Sequence, residues 1–295
     1  MKINNKLSLV VDGNYLMFNS FYATYYGPGE IMSTKDGIPT NGINTFLIQL
    51  AKLIAEFKPT YLFVAFDADS KTKRHAMLPT YKDGRAKAPE EIHVQFNLIK
   101  EILTLLDINW AQKSGYEADD LVATYCEQIE GTKLIYSRDK DLLQLVKNNV
   151  YVIDKKQNSY SLITDENFFD HYQMYPHQIT SFKGLKGDPS DNLPGITGIG
   201  DKTAIKLLSW FDNFEGIFNN INDSRIAESV RKKLLTGEQQ GKMCYEMAQL
   251  ILDVPEFDSN INNYQLSLNI NKALDKLQSL ELKTATKYLM SANEQ

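Results

Sequence analysis

The 295-residue chain is short of cysteine, of histidine and of long apolar runs, and each shortage removes a class of function. Its two cysteines, Cys126 and Cys244, lie far apart and match no zinc or redox spacing, so they read as reduced structural thiols of a cytoplasmic protein. The four histidines, His75, His93, His171 and His177, form no ligand spacing. No segment approaches the ~20 apolar residues that span a bilayer. The run Leu7-Ser-Leu-Val-Val11 is too short for a signal peptide and is interrupted by Asp12. No internal repeat or coiled coil is visible. Positive charge is also in deficit: a net charge of −5 argues at first against nucleic acid, whose phosphates are neutralised by Lys and Arg. Nine carboxylates are assigned below to one site, however, and without those nine the remainder is mildly basic, at +4.

What is present is enough for one large domain or two modest ones, with 43% hydrophobic and 23% charged residues. Three short apolar runs end in carboxylates. Leu7–Val11 leads to Asp12, Tyr61–Phe66 to Asp67, and Lys133–Tyr136 to Ser137-Arg-Asp-Lys-Asp141. Helical patterns at 42–57 and 92–106 fall between them, so strands alternate with helices and a parallel α/β fold follows. In such sheets the site lies outside the carboxyl ends of the strands, which aims Asp12, Asp67, Asp139 and Asp141 at one place. Any one of them alone reads better as a cap on the next turn or helix, and it is three in the same topological position that shift the balance.

The stretch Gly115-Tyr-Glu-Ala-Asp-Asp120 puts Glu117, Asp119 and Asp120 at the start of a helix running to about Ile129. Acidic residues favour a helix N-terminus, but like charges three apart repel. Taken alone, the stretch fits a solvated helix start as well as a metal site. Residues 68–91 form a long basic connection with Lys71, Lys73, Arg74, Lys82, Arg85 and Lys87 interleaved with Tyr81, and a loop of that kind inside an α/β domain is usually functional. Further on, two short strands near 150–153 and 160–163, and helices near 165–172 and 176–185, precede Gly187-Asp-Pro-Ser-Asp-Asn-Leu-Pro-Gly195. There Asp188 can cap with Pro189 at the first helical position, leaving Asp188 and Asp191 on one face. Gly195-Ile-Thr-Gly-Ile-Gly-Asp-Lys202 then offers outward backbone amides ahead of a helix carrying Lys202 and Lys206. Together with the preceding helix this reads as a helix–hairpin–helix that grips duplex backbone without reading sequence. Leucines at 274, 277, 280, 282 and 289 suggest a C-terminal helix docking on the core.

In order from about Leu9 to Leu208, the motifs Val11-Asp-Gly13, Phe66-Asp-Ala68, Arg74-His75, Tyr81-Lys82 with Arg85, Gly115–Asp120, Asp139-Lys-Asp141, Gly187–Gly195 and Gly198-Ile-Gly-Asp-Lys-Thr-Ala204 resemble the 5′-nuclease (flap endonuclease) superfamily. The resemblance is strongest to the N-terminal 5′→3′ exonuclease domain of bacterial DNA polymerase I. It implies a PIN-like α/β core at 1–175 with a basic arch at about 68–91, and a helical subdomain at 176–295 that holds the hairpin. It also implies a monomeric two-metal phosphodiesterase that cleaves 5′ flaps, nicked or branched DNA and RNA-primed ends in replication and repair, with other repair proteins as partners. Asp12, Asp67, Glu117 and Asp119 would surround one Mg²⁺ or Mn²⁺. Asp139, Asp141, Asp188 and Asp191 would serve a second, with Asp119 or Asp120 between the groups. Lys82 and Arg85 would stabilise charge on the scissile phosphate, Arg74 and Tyr81 would guide the 5′ strand, and Gly198, Gly200, Lys202 and Lys206 would hold duplex, with K⁺ bound at the hairpin. Relatives commonly carry Arg where this chain has Asn19, so the resemblance does not carry that phosphate contact over. The alternatives are a catalytically idle protein that binds branched DNA and a PIN-like ribonuclease.

Overall fold

A computed structural model describes residues 6–27, 31–84, 87–157 and 159–294. Strand β1 (Leu7–Asp12) is buried along its whole length and runs into helix α1 (Gly13–Tyr22), then α2 (Asn41–Phe57) and β2 (Tyr61–Ala65). The short α3 (Lys73–Met77) and the long α4 (Glu90–Leu105) lead to β3 (Asn109–Ala111), α5 (Ala118–Gln128) and β4 (Thr132–Tyr136). A hairpin of β5 (Val150–Lys156) and β6 (Ser159–Ile163) completes one six-stranded sheet in the order β3-β2-β1-β4-β5-β6. All neighbours are parallel except β5 and β6.

Alternation along the strands sorts their side chains to two faces, as the two-residue period of a strand requires. Leu9, Val11, Leu62, Val64, Leu134 and Tyr136 join the core beneath α1, α2 and α4. Val10, Phe63, Ala65 and Ile135 join the core beneath α5 on the other side. Strands covered on both faces read as continuous apolar runs, which is why three of them were visible in the sequence. The edge strand β3 has only three half-buried residues, too few to register as a pattern.

The second half is helical: α6 (Phe168–Tyr172), α7 (Ile179–Lys186), α8 (Asp201–Phe211), α9 (Phe214–Asn219) and α10 (Glu228–Met247). Leu185, Ile196, Ala204, Leu208, Phe214 and Leu234 form its separate core. The tail differs from the single docking helix expected: it is two helices, α11 (Ile270–Ser279) and α12 (Lys283–Asn293), broken at Glu281, whose φ is +56°. Leu277, Leu280, Leu282 and Leu289 bury in the core with Leu47, Leu50 and Ile54 of α2, so the chain end closes one face of the sheet.

Candidate metal centre and nucleic-acid interface

Because β1 pairs with β2 on one side and β4 on the other, sheet-building reverses at β1 and a crevice opens at the carboxyl ends of these strands. The register sets Val11 level with Tyr136, which brings Ser137 beside Asp12, and the Ser137 hydroxyl donates to Asp12 Oδ2 at 2.8 Å. The Tyr15 N–H donates to Asp12 Oδ1 at 2.9 Å, so Asp12 both caps α1 and faces the crevice. Asp67, just past β2, accepts from the Ala118 N–H at 2.7 Å and from Asn14 Nδ2 at 3.0 Å. These two carboxylates, with Asp119 and Asp139, line an opening of about 320 Å³ that Lys82 and Arg138 also reach.

Burial dominates the electrostatics of two members of this first group. Burial lifts the Asp12 carboxyl to about 7, helped by Asp67 and Asp139 and opposed by its two hydrogen bonds. Burial likewise raises Asp119 well above the usual carboxylate range, with Asp139, Asp12 and Asp141 adding to it and Lys82 opposing. Such groups favour a neighbouring cation, and an all-oxygen donor set suits Mg²⁺ or Mn²⁺. The residues present therefore fit the divalent ion that the resemblance implies. Among the described residues no three acidic, cysteine or histidine side chains close on one point as a ready-made cage.

Several expected residues stand elsewhere. Asp120 is fully buried and accepts from both terminal nitrogens of Arg74, each at 2.9 Å, and from the backbone N–H groups of Glu117 and Ile251. Both of its oxygens are engaged within the chain, which sets it apart from the carboxylates that line the opening. Arg74 is 7% exposed and also donates to the carbonyls of Met247 and Gln249, clamping α3 to α5 and to the end of α10. Burial works against its charge, but Asp120 and Glu117 overrule this and raise its pKa. Tyr81 is 3% exposed, packs with Leu193, Cys244 and Met247, and donates to Glu117 Oε2 at 3.2 Å. Both side chains are buried in this structure, where the sequence expectation set them on an exposed face: a cation and an aromatic in a basic loop look alike whether they face solvent or a buried carboxylate. Glu117 is turned toward this junction, accepting from Thr72 and pairing with Lys82 Nζ at 3.0 Å. Lys82 itself reaches the opening from a left-handed backbone, φ +59°, a strained conformation that persists where surrounding structure imposes it. Its N–H donates to the Asp191 carbonyl and Asn192 Nδ2 donates to the Thr80 carbonyl, tying the base of the basic loop to the Gly187–Gly195 turn. Arg85 lies outside the described residues.

A second group forms where that turn meets the six-residue 3₁₀ turn Lys140–Leu145. Gly187 and Gly195 both have positive φ, +81° and +60°, and each lies where a Cβ would strike the other's strand, so the turn closes tightly with Asp188 and Leu193 exchanging two hydrogen bonds of 2.8 Å. Asp188 caps the following turn through Ser190, as the Pro189 signal suggested. Lys183, which the sequence reading passed over, points from α7 into this group and pairs with Asp141, with Asp188 at 2.7 Å and with Asp191 at 3.8 Å. Burial lifts Asp141 to about 6 against the pull of Lys183, whereas at Asp188 burial is overruled by Lys183 and Ser190 and the carboxyl is held at about 2. The nine acidic residues thus fall into two groups with Glu117 and Asp120 in a buried junction between α3 and α5.

Some 3₁₀ and loop residues beyond lead to the hairpin. Gly198 (φ +82°) and Gly200 are exposed, and Gly200 is the residue ahead of α8, with open space where a side chain would be. Lys202 and Lys206 are exposed on α8, the arrangement a phosphate backbone requires. The Gly198 carbonyl accepts from Lys233 Nζ at 3.2 Å, so one carbonyl of the expected K⁺ site already has a cationic partner. Asn14, Ser137, Arg138 and Lys183 were missed: each is a common residue whose only signal is proximity to an acidic motif.

A parallel sheet with carboxylates gathered at its switch point, followed by a helical unit that opens with a glycine hairpin, defines a PIN-like nuclease fold. Residues 7–173 match the family described as 5′-3′ exonuclease, N-terminal resolvase-like domain, and residues 174–278 match 5′-3′ exonuclease, C-terminal SAM fold. The chain belongs to the 5′-3′ exonuclease family. It is 38% identical to a 5′-3′ exonuclease of Aquifex aeolicus over 96% of this chain and 94% of that one. With a 5′-3′ exonuclease of Mycoplasmopsis pulmonis the identity is 34%, over 97% and 94%. DNA polymerase I of Bacillus subtilis is 37% identical over 85% of this chain but only 28% of the polymerase. In fold it is similar to the T5 D15 protein co-crystallised with metal ions, with a TM-score of 0.67, 18% identity and coverage of 98% and 99%. The catalytic core of Rad2 in complex with DNA substrate gives 0.63, 14%, 97% and 92%.

Proposed function

We propose that the chain is a metal-dependent 5′→3′ exonuclease and flap endonuclease acting on DNA. The observation that carries this is the convergence of Asp12, Asp67, Asp119 and Asp139 on one opening that Lys82 also reaches, on a chain that continues into the exposed hairpin. Asp12, Asp67, Asp119 and Asp139 would hold one divalent ion, and Asp141, Asp188 and Asp191 a second, with Glu117 acting through Lys82. Bound ions of this kind supply a nucleophilic water and stabilise the charge of an in-line displacement. The chain's own part is orientation. Asn14, Ser137 and the Tyr15 and Ala118 amides fix the carboxylates, Lys82, which reaches the opening, would meet the phosphate with its ammonium, and the exposed Lys202 and Lys206 would hold the duplex. Division into a core at 1–175 and a helical subdomain at 176–295, a monomeric state, a cytoplasmic location and replication or repair partners belong to the same reading. The idle DNA-binding protein and the PIN-like ribonuclease have no observation in their favour.

The test is cleavage of a 5′-labelled flap duplex with and without Mg²⁺, beside Asp119→Ala. Metal-dependent release of the flap near its junction, lost in the variant, is the expected result. Tight binding of the duplex with no cleavage in Mg²⁺ or Mn²⁺ overturns the reading.

A further inference from the structure

The second carboxylate group already holds a cation of the chain's own. Lys183 is 6% exposed, and its ammonium lies between Asp141 and Asp188, with Asp191 Oδ2 at 3.8 Å. Three separate pieces of chain meet on it: the turn after β4, the last turn of α7 and the Gly187–Gly195 loop. Its stem is fixed, because α7 packs against both α10 and the 3₁₀ turn that carries Asp141. The first group differs in geometry: Asp12, Asp67, Asp119 and Asp139 line an open crevice, with Lys82, which also pairs with Glu117, among its lining residues.

An ammonium and a divalent ion cannot share the oxygens of Asp141 and Asp188, since two positive charges at ~4 Å repel strongly in a partly buried site. We propose that Lys183 is the built-in counter-ion of the second group and sets the affinity of the second divalent ion. The free chain takes one ion tightly at the first group and a second only weakly, because the second must displace Lys183 from Asp141 and Asp188. A substrate phosphate adds negative charge beside the group and shifts that competition toward the ion, so full metal loading is coupled to substrate. This rests on the two-metal reading above and adds the order in which the positions fill.

The experiment counts Mn²⁺ bound to the whole chain, from the electron paramagnetic resonance of the free ion, in wild type, Lys183→Met and Lys183→Arg. Wild type and Lys183→Arg are expected to hold one tight ion. Lys183→Met is expected to hold two, with the second bound at least about tenfold tighter than in wild type. In thermal melts Lys183→Met should be less stable than wild type without metal and recover with Mn²⁺, a rescue that a merely structural lysine would not show. Two equally tight ions in wild type, or an unchanged second affinity in Lys183→Met, overturns the inference. If Lys183→Met fails to fold, the wild-type count decides: one tight ion supports the inference and two overturn it. No tight ion in wild type overturns the two-metal reading itself, and the inference with it.

Discussion

Asp139 and Asp141 are two residues apart in the chain, yet they belong to groups that are neutralised in opposite ways. Asp139 faces the opening with Asp12, Asp67 and Asp119, where neutral donors such as the Ser137 hydroxyl and the Ala118 amide orient the carboxylates and Lys82 and Arg138 reach the same space. Asp141 turns inward to a group whose charge Lys183 meets from within. Asp120, beside the first group in sequence, is the extreme of internal compensation, paired with both terminal nitrogens of Arg74. The contrast teaches that membership of one acidic motif does not fix how a carboxylate's charge is met: the fold decides whether it faces an opening, a lysine that an ion would have to displace, or a buried arginine.

The sharpest way to break the contrast is at its external side. Asp119→Ala should lower flap cleavage on the order of 10³-fold, the scale of losing a preorganised electrostatic contact, while duplex binding through the hairpin persists. Comparable loss from Asp120→Asn with normal stability would erase the distinction drawn here. On the internal side, Arg74→Ala should destabilise by about 3–5 kcal/mol, because it leaves Asp120 buried and unpaired. Chemical denaturation would show this, and a stable variant that merely bound DNA less well would return Arg74 to the surface role.

The third expectation concerns pH. Asp12 sits at about 7 in the folded chain against an ordinary value of 3.8, so the metal-free folded state binds the extra proton and its stability from this group falls as pH rises from about 4 through about 7. Mg²⁺ requires the ionised form, so its stabilising effect should grow across the same window. At a hundredfold excess over its Kd, Mg²⁺ should contribute about 2.7 kcal/mol, and the rise in melting temperature should be larger at pH 8 than at pH 6. An equal rise at both would count against a protonated, ion-demanding first group. The smallest effects separate the edge of the site from the hairpin. Lys82→Ala should reduce turnover roughly tenfold or more with little change in duplex affinity, whereas Lys202→Ala should weaken binding only a few-fold and flatten its salt dependence by about one counterion. The reverse pattern would undo this division of roles.

Much of this was legible beforehand. Asp12, Asp67 and Asp139 were visible because each ends or closely follows a strand buried on both faces, and such strands appear in sequence as apolar runs with an abrupt polar stop. Asp188 followed from Pro189, whose missing N–H suits a first helical position. The misreadings share one cause. Arg74 and Tyr81 were placed on a surface because their loop is basic, and only their contacts with Asp120, Glu117, Met247 and Cys244 show them buried. The tail's leucines signalled docking but not the break at Glu281, where a left-handed residue carries no sequence mark.

Local chemistry decided the rest of what the sequence alone determined: the alternation of strand and helix, the strand-end carboxylates, the glycine turn and the lysines that follow it, since each depends on residues a few positions apart. Tertiary structure alone decided which carboxylates keep their charge exposed. Lys183 and Asp141 are 42 positions apart and Arg74 and Asp120 are 46 apart. Whether an acid meets a cation at that separation depends on how α3, α5 and α7 pack, and the free energy of a charge is set by the groups within a few ångströms of it, wherever in the chain they come from.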